Sequence, residues 1–140
     1  MNPRLAFDCN DIEWSLVPRI LQSVGMAFHE PDVHAKAFEN SQVVVFVFDD
    51  DSMVGFGRAI SDGAKQAAIY DVAVQPEYQG KGIGKMIMES ILQRLPGCNI
   101  LLYANPGKED FYKQLGFSIL KTGMALFENS DEARRKGFIA

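Results

Sequence analysis

The stretch YDVAVQPEYQGKGIGKMIMESIL, Tyr70 to Leu92, decides the fold. Together with the residues just before it, its first part is small, aromatic and β-branched, which predicts a strand over Ala67 to Val74. Its last part places Ile83, Ile87, Ile91 and, just beyond, Leu95 at helical spacing, so a helix over Gly84 to Leu95 has one apolar face. Between the two, the turn Gln79 to Gly84 carries a glycine at every second position, Gly80, Gly82 and Gly84. Successive main-chain N–H groups in such a turn form a concave anion site, and the positive end of the helix dipole reinforces it. A phosphate group fits that description. Lys81 and Lys85 add positive charge, and glycine lets a ligand approach the backbone without meeting a Cβ. The same residues also describe a plain tight connection with its lysines in water; glycine-rich turns are common.

What is absent narrows the phosphate ligand. A Walker loop needs glycines separated by four residues and then Lys followed by Ser or Thr, and GKGIGK has neither the gap nor the hydroxyl. The dinucleotide pattern GxGxxG, started at Gly80 and Gly82, would need glycine where Lys85 stands. Nucleoside triphosphatase and nicotinamide chemistry are therefore both disfavoured.

Outward from this centre, Leu5 to Phe7 can start a sheet, and Ser15 can cap a helix over Leu16 to Val24, with Pro18 in its first turn and Gly25 after it. Pro31 opens a second helical stretch through Phe38. SQVVVFVFDDDSMVGFGRAISDG reads as two strands joined by the acidic turn Asp49 to Ser52 and followed by a turn at Asp62-Gly63. That aspartate run lacks EF-hand spacing and the late glutamate, so a solvated turn is expected rather than a calcium loop. After Pro96-Gly97, NILLYA predicts a short strand, GKEDFYKQLGF a helix ended by Gly116, and MALF a last strand before a polar tail containing Asp131 to Lys136. The order is mixed α+β, with the strands either side of the Gly84 to Leu95 helix parallel through a crossover.

A chain of 140 residues is expected to form a single domain, 1–140. A net charge of -4 leaves no basic footprint for nucleic acid. No run approaches the roughly 18 apolar residues of a membrane span, and MNPRLAFDCND has no signal-peptide core, so the expected place is the cytoplasm with no membrane partner. Cys9 and Cys98 lack any metal or redox spacing and read as free structural thiols; His29 and His34 have no third ligand beside them, so no metal is expected.

Gln79-Gly80-Lys81-Gly82-Ile83-Gly84 resembles the Q/R-x-x-G-x-G/A acetyl-CoA motif of the GNAT superfamily of N-acetyltransferases. YDVAVQPEY looks like that family's central strand, and ANPGKEDFYKQLGF looks like its second motif, an asparagine-bearing strand end followed by a helix with Phe-Tyr and a closing Leu-Gly-Phe. The two motifs stand in the family's order and cover about half the chain, Ala67 to Phe117; the N-terminal half is compatible in element order but carries no motif. Within the superfamily, IYDVAV and GMALF look closest to small bacterial members and plastid-type arylalkylamine acetyltransferases.

The resemblance implies a GNAT-type fold: a splayed, mostly antiparallel sheet of about six or seven strands flanked by about four helices. It implies acetyl-CoA as acetyl donor, with its diphosphate on the amides of Gln79, Gly80, Lys81, Gly82, Ile83, Gly84 and Lys85. Main-chain groups of Val72, Ala73 and Val74 would pair with the pantetheine arm as a strand does. Asn105 would bond to the same arm, Phe111 and Tyr112 would lie along it, and Lys108 would reach the adenosine phosphates. A homodimer is a further possibility that the residues leave open.

Acetyl transfer to an amine needs a neutral nitrogen, stabilisation of an oxyanion and a proton for the departing thiolate. Asp71, the carboxylate inside an otherwise apolar strand, is a candidate base; equally, it can be an aspartate paired with a nearby cation. Glu77 and Glu30 are weaker candidates. Tyr112 matches the family's tyrosine beside the sulfur and is the candidate acid, since a phenol of pKa about 10 can protonate a thiolate whose acid lies near 8.5; the alternative is a core tyrosine packed with Phe111 and Leu115. Ala73 is a candidate oxyanion donor through its N–H. Neither cysteine lies in the motifs, which points to direct transfer in a ternary complex rather than through an acetyl-cysteine. The expected acceptor is a small-molecule primary amine, with Trp14, Met26, Phe28, Phe38, Glu30 and Asp32 as pocket residues if they are not core. Arg58 is either an anchor for an anionic acceptor or a partner of Asp71 or Asp62. A protein amine as acceptor, and a non-catalytic acyl-CoA sensor, are the alternatives.

Overall fold

The computed structural model describes residues 1–140 and divides into two compact units, Met1–Leu102 and Tyr103–Ala140. The first holds one sheet of five strands, β1 (Pro3–Ala6), β2 (Val43–Asp49), β3 (Ser52–Ser61), β4 (Gln66–Val74) and β5 (Asn99–Leu101), lying in sequence order. The first three junctions are antiparallel and β4 runs parallel to β5. Helices α1 (Leu16–Ser23) and α2 (Pro31–Glu39) connect β1 to β2, and α3 (Ile83–Gln93) makes the crossover to β5.

Local chemistry accounts for most boundaries. Pro31 opens α2 at its first position, where the missing N–H has no intrahelical acceptor to lose. Gly25 and Gly97 follow α1 and α3 with φ of 76° and 74°, a conformation that releases the chain from a helix. Ser15 stands at the N-cap of α1 but does not cap it: its backbone is already helical and its hydroxyl turns to the Glu13 carboxylate at 3.4 Å. The β2–β3 hairpin closes at Asp49 opposite Ser52, with Asp50 in the left-handed region that aspartate tolerates.

β2 is buried on both faces because helices cover both. On one face, Val17, Ile20 and Leu21 of α1 and Phe38 of α2 meet Val44, Phe46, Met53, Phe56 and Ala73. Rings of Phe38, Phe46 and Phe56 lie 5.2 to 6.5 Å apart, and Trp14 adds edges at 5.8 and 6.0 Å. On the other face α3 buries Ile83, Ile87, Met88 and Ile91, each such side chain contributing about 2 kcal/mol to the fold. Two glycines of β3 let the helix sit that close. A Cβ on Gly57 would lie 2.9 Å from Ile87 Cγ2 and 3.2 Å from Ile91 Cδ1, and one on Gly55 would lie 2.9 Å from the Ala73 carbonyl oxygen.

The second unit holds α4 (Glu109–Lys113) and α5 (Ser130–Arg135), with the rings of Tyr103, Phe127 and Phe138 packed edge on or tilted at 5.5 to 6.1 Å. Two expectations are corrected here. The sheet has five strands rather than six or seven, while the five α-helices agree with about four. MALF is not a strand: Met124 and Leu126 are each 98% exposed. Strand preference is a fit to a half-buried pleated surface, and these side chains have none to fit. The polar tail is helical instead. The Asn129 side chain accepts from the Glu132 N–H, acidic Asp131 and Glu132 sit in the first turn, and Arg134 and Arg135 in the last, all favourable to the helix dipole.

Candidate active site

β5 pairs with β4 only at Gln66, Ala67 and Ala68. On the side away from β3, no strand of the sheet lies beside the second half of β4, so the sheet opens there along Ile69–Val74. The main chain of Val72, Ala73 and Val74 lies in this half. A bulge falls in the same place: Phe56 faces Ala73 and Arg58 faces Tyr70, which sets Asp71 and Val72 together against Gly57. Asp71 absorbs the irregularity with φ of 59°, unusual for a residue with a side chain.

The Asp71 carboxylate is paired. Arg58 Nε donates to its Oδ2 at 2.7 Å, while Arg58 Nη1 donates to Ser41 Oγ at 3.3 Å. The guanidinium also lies 5.2 Å from the Tyr70 ring centre and 5.8 Å from that of Phe38. Of the partners open to Arg58 in the sequence, the structure selects Asp71; Asp62 instead accepts the N–H groups of Ala64, Lys65 and Gln66, which hold its carboxyl below the ordinary value. His34 belongs to the same neighbourhood. It is 4% exposed, and its Nε2 accepts the His29 N–H at 2.9 Å. Burial pushes its pKa down, His29 and Arg58 push the same way, and Asp71 opposes them.

Below the open edge, the chain passes through a single 3₁₀ turn, Pro76–Tyr78, into the glycine turn. Gly80 and Gly82 have φ of 79° and 82°, and a Cβ on either would meet nothing within 4 Å. Backbone conformation therefore requires these glycines, and the space over them is free. The first bond of α3 runs from the Met86 N–H to the Gly82 carbonyl, and no side chain caps the helix. The N–H groups of Ile83, Gly84 and Lys85 are thus without intrahelical acceptors, at the positive end of the helix. Lys81 and Lys85 are exposed beside them. This donor set suits a diphosphate.

Gln79, the first residue of the motif, and two side chains that the sequence did not single out, Gln75 and Tyr78, hold the turn. Gln75 Nε2 donates to the Met53 carbonyl at 2.7 Å, Gln79 Nε2 to the Val74 carbonyl at 3.0 Å, and Tyr78 Oη to Asp49 Oδ2 at 3.0 Å. The acidic hairpin turn is therefore more than solvated. Only the glutamines' closeness to the motif was a usable sign; nothing local links positions 49 and 78.

In the second unit, Lys108 precedes α4 and donates its N–H to the Asn105 carbonyl at 2.9 Å. Phe111 and Tyr112 sit edge to face at 5.0 Å, and Tyr112 meets Phe117 at 6.0 Å. Burial raises the Tyr112 phenol above its ordinary pKa, so it stays protonated at neutral pH. Of the acceptor-pocket candidates, Trp14, Met26 and Phe38 pack in or against the core, whereas Phe28, Glu30 and Asp32 are exposed; Glu77 is exposed as well. Cys9 and Cys98 are free thiols, and no group of three or more His, Cys, Asp or Glu side chains is arranged to hold a metal.

Residues 10–117 match the acetyltransferase (GNAT) family. An uncharacterized N-acetyltransferase, ycf52, of Gracilaria tenuistipitata var. liui is 37% identical over 112 residues, 78% of this chain and 57% of the relative. Serotonin N-acetyltransferase 2, chloroplastic, of Oryza sativa subsp. japonica is 33% identical over 123 residues, 81% of this chain and 62% of the relative. The chain thus spans 57% and 62% of these curated relatives' lengths. Among solved structures, a probable acetyltransferase of unknown function from meticillin-resistant Staphylococcus aureus superposes with a TM-score of 0.79 at 25% identity, covering 90% of this chain and 99% of that one.

Proposed function

The chain belongs to the acetyltransferase (GNAT) family, and from that premise we propose that it transfers the acetyl group of acetyl-CoA directly to a small-molecule primary amine. One observation carries the proposal. A glycine turn with unsatisfied N–H groups, at the start of α3, leads out of β4, whose second half has no strand on the side of β5, within the segment that matches the family. The turn suits a diphosphate and the free edge of Val72–Val74 suits an extended amide-bearing arm. The rice relative's name supports an arylalkylamine as acceptor.

The residues divide the chemistry as follows. An alkylamine of lysine type has a pKa near 10.4, so about one molecule in a thousand is neutral at pH 7 and proton removal matters. Asp71 takes that proton, directly or through water, at Oδ1, the oxygen that Arg58 leaves open. A main-chain N–H of Val72–Val74, with Ala73 preferred, meets the developing oxyanion. Tyr112 returns a proton to the thiolate. Asn105, Lys108 and Phe111 hold the donor's arm and phosphates. Residues 1–140 work as one catalytic domain in this proposal, without a metal, nucleic-acid or membrane partner, as monomer or homodimer. A cytoplasmic location belongs to the proposal, and the two free thiols are compatible with it as with any reducing compartment.

Calorimetric titration with acetyl-CoA, followed on the same sample by thiol release against aryl amines, polyamines, sugar amines and lysine peptides, tests it. Binding with release on a small amine is the expected result. Release on peptides alone moves the acceptor to proteins, binding without any release favours an acyl-CoA sensor, and no binding ends the proposal. Tyr112→Phe is expected to lower turnover about tenfold at unchanged acetyl-CoA affinity; full turnover removes the acid assignment.

A further inference from the structure

Glycine-rich turns are costly to order, since glycine gives up more conformational freedom than any other residue. In the turn from Gln79 to Gly84, Gly80 and Gly82 are exposed and an added Cβ at either would meet nothing within 4 Å, so no packing fixes these two positions, and the buried Ile83 anchors only the end where α3 begins. The fixing comes from its entrance. Gln75 is tied to β3 by its side chain, to the Met53 carbonyl, and by its N–H, to the Val54 carbonyl at 2.8 Å. Tyr78, the last residue before the turn, is tied to Asp49 of the β2–β3 turn, 29 positions earlier in the chain. The Tyr78 ring then carries Lys81, whose Nζ lies 5.4 Å from the ring centre.

A carboxylate this near an anion site calls for an explanation, because by charge alone it opposes the ligand. Its bond to the phenol supplies one. We propose that Asp49 and Tyr78 form a brace that holds the glycine turn, and Lys81 with it, in the shape that receives the diphosphate of the acetyl donor. The acidic hairpin turn is then a positioning element of the donor site. Two consequences follow from the chemistry. A phenol that donates to a carboxylate has a more electron-rich ring, which strengthens its hold on the Lys81 ammonium. Ordering the turn before the ligand arrives removes that cost from binding. The Asp49 bond also raises the Tyr78 pKa, so the hydroxyl stays a donor throughout the neutral range.

This inference rests on the diphosphate role of the turn, and substitutions at Asp49 separate it from simple electrostatics. Asp49→Ala removes both the charge and the acceptor; Asp49→Asn removes the charge and keeps an oxygen for the phenol. Charge alone makes both variants bind CoA more tightly. The brace makes Asp49→Ala and Tyr78→Phe bind about three- to tenfold more weakly, while Asp49→Asn binds at least as tightly as the parent. Titrations with CoA and with pantetheine, which lacks the diphosphate, give the second readout: the loss appears with CoA and not with pantetheine. Amide hydrogen exchange of the ligand-free protein gives the third, with faster exchange confined to residues 76–85 in Tyr78→Phe. Tighter CoA binding by Asp49→Ala, unchanged binding by Tyr78→Phe, or equal losses for both ligands overturns the brace. If the parent does not bind CoA, or Gly82→Asp binds it equally well, the diphosphate role fails and takes the brace with it.

Discussion

The glycine turn and the Arg58–Asp71–His34 cluster lie at opposite extremes of how a site can be made. The turn is main chain, exposed, and shaped by two residues of positive φ. The cluster is side chain, largely enclosed, and shaped by a salt bridge, a bulge and a histidine that α2 supplies. The turn can bind any group with the right charge and curvature because its donors belong to the backbone. Every member of the cluster has a neighbour it depends on, so changing one redistributes charge among the rest. In fold stability, tolerance of a changed side chain is therefore expected at the first place and coupling at the second.

The largest effect expected is at the turn. Aspartate tolerates the left-handed conformation and a Cβ at position 82 meets nothing, so Gly82→Asp folds, yet it puts a negative charge among the donors. CoA affinity falls by about a hundredfold or more, while stability falls by only the ~1 kcal/mol that a side chain costs in the left-handed region; a folded variant that binds normally breaks the contrast at its first term. Next is Asp71→Asn, which keeps the backbone conformation and an acceptor for Arg58. If Asp71 is the base, turnover drops about a hundredfold at saturating acetyl-CoA. A loss under threefold reassigns Asp71 to structure alone.

Arg58→Met leaves the enclosed Asp71 carboxylate without its cation. Denaturant melts are expected to show a loss of about 2 kcal/mol, whereas the exposed Lys81→Met changes stability by less than about 0.5 kcal/mol. Equal losses would erase the distinction between coupled and tolerant regions. The smallest effect is a slope. The folded protein holds His34 below its ordinary value of 6.5, so just below that pH the unfolded chain binds more protons. Stability is then fully present above about pH 6.5 and declines as pH falls toward the lowered folded value. His34→Gln, which has an oxygen for the His29 N–H and does not titrate, should flatten this part of the pH–stability curve; an unaltered slope assigns it to other groups.

The same contrast explains what the sequence revealed. Ile83, Ile87 and Ile91 repeat every four residues, and Gly80 and Gly82 mark a backbone need, so strand, turn and α3 were legible from neighbours along the chain. The hairpin, α1, α2 and the β4–β5 crossover came from equally local signs. Arg58 and Asp71 are 13 positions apart and Asp49 and Tyr78 are 29 apart. Their pairing depends on strand register and on the bulge opposite Gly57, which no short-range pattern encodes. Ser15 has the right identity for a cap but the wrong backbone for one. MALF is an apolar run that suits a strand by composition, and composition does not report whether anything lies opposite its side chains.

Gly55 and Gly57 have a consequence for how this sequence can drift over generations. They seat α3 so closely on the sheet that an added methyl group at either position meets the helix or the neighbouring strand. Alanine at 57 becomes acceptable only in a background where Ile87 has already become smaller. The order in which such replacements arise is thereby restricted, and a pair that is harmless together passes through a damaging single step if glycine changes first.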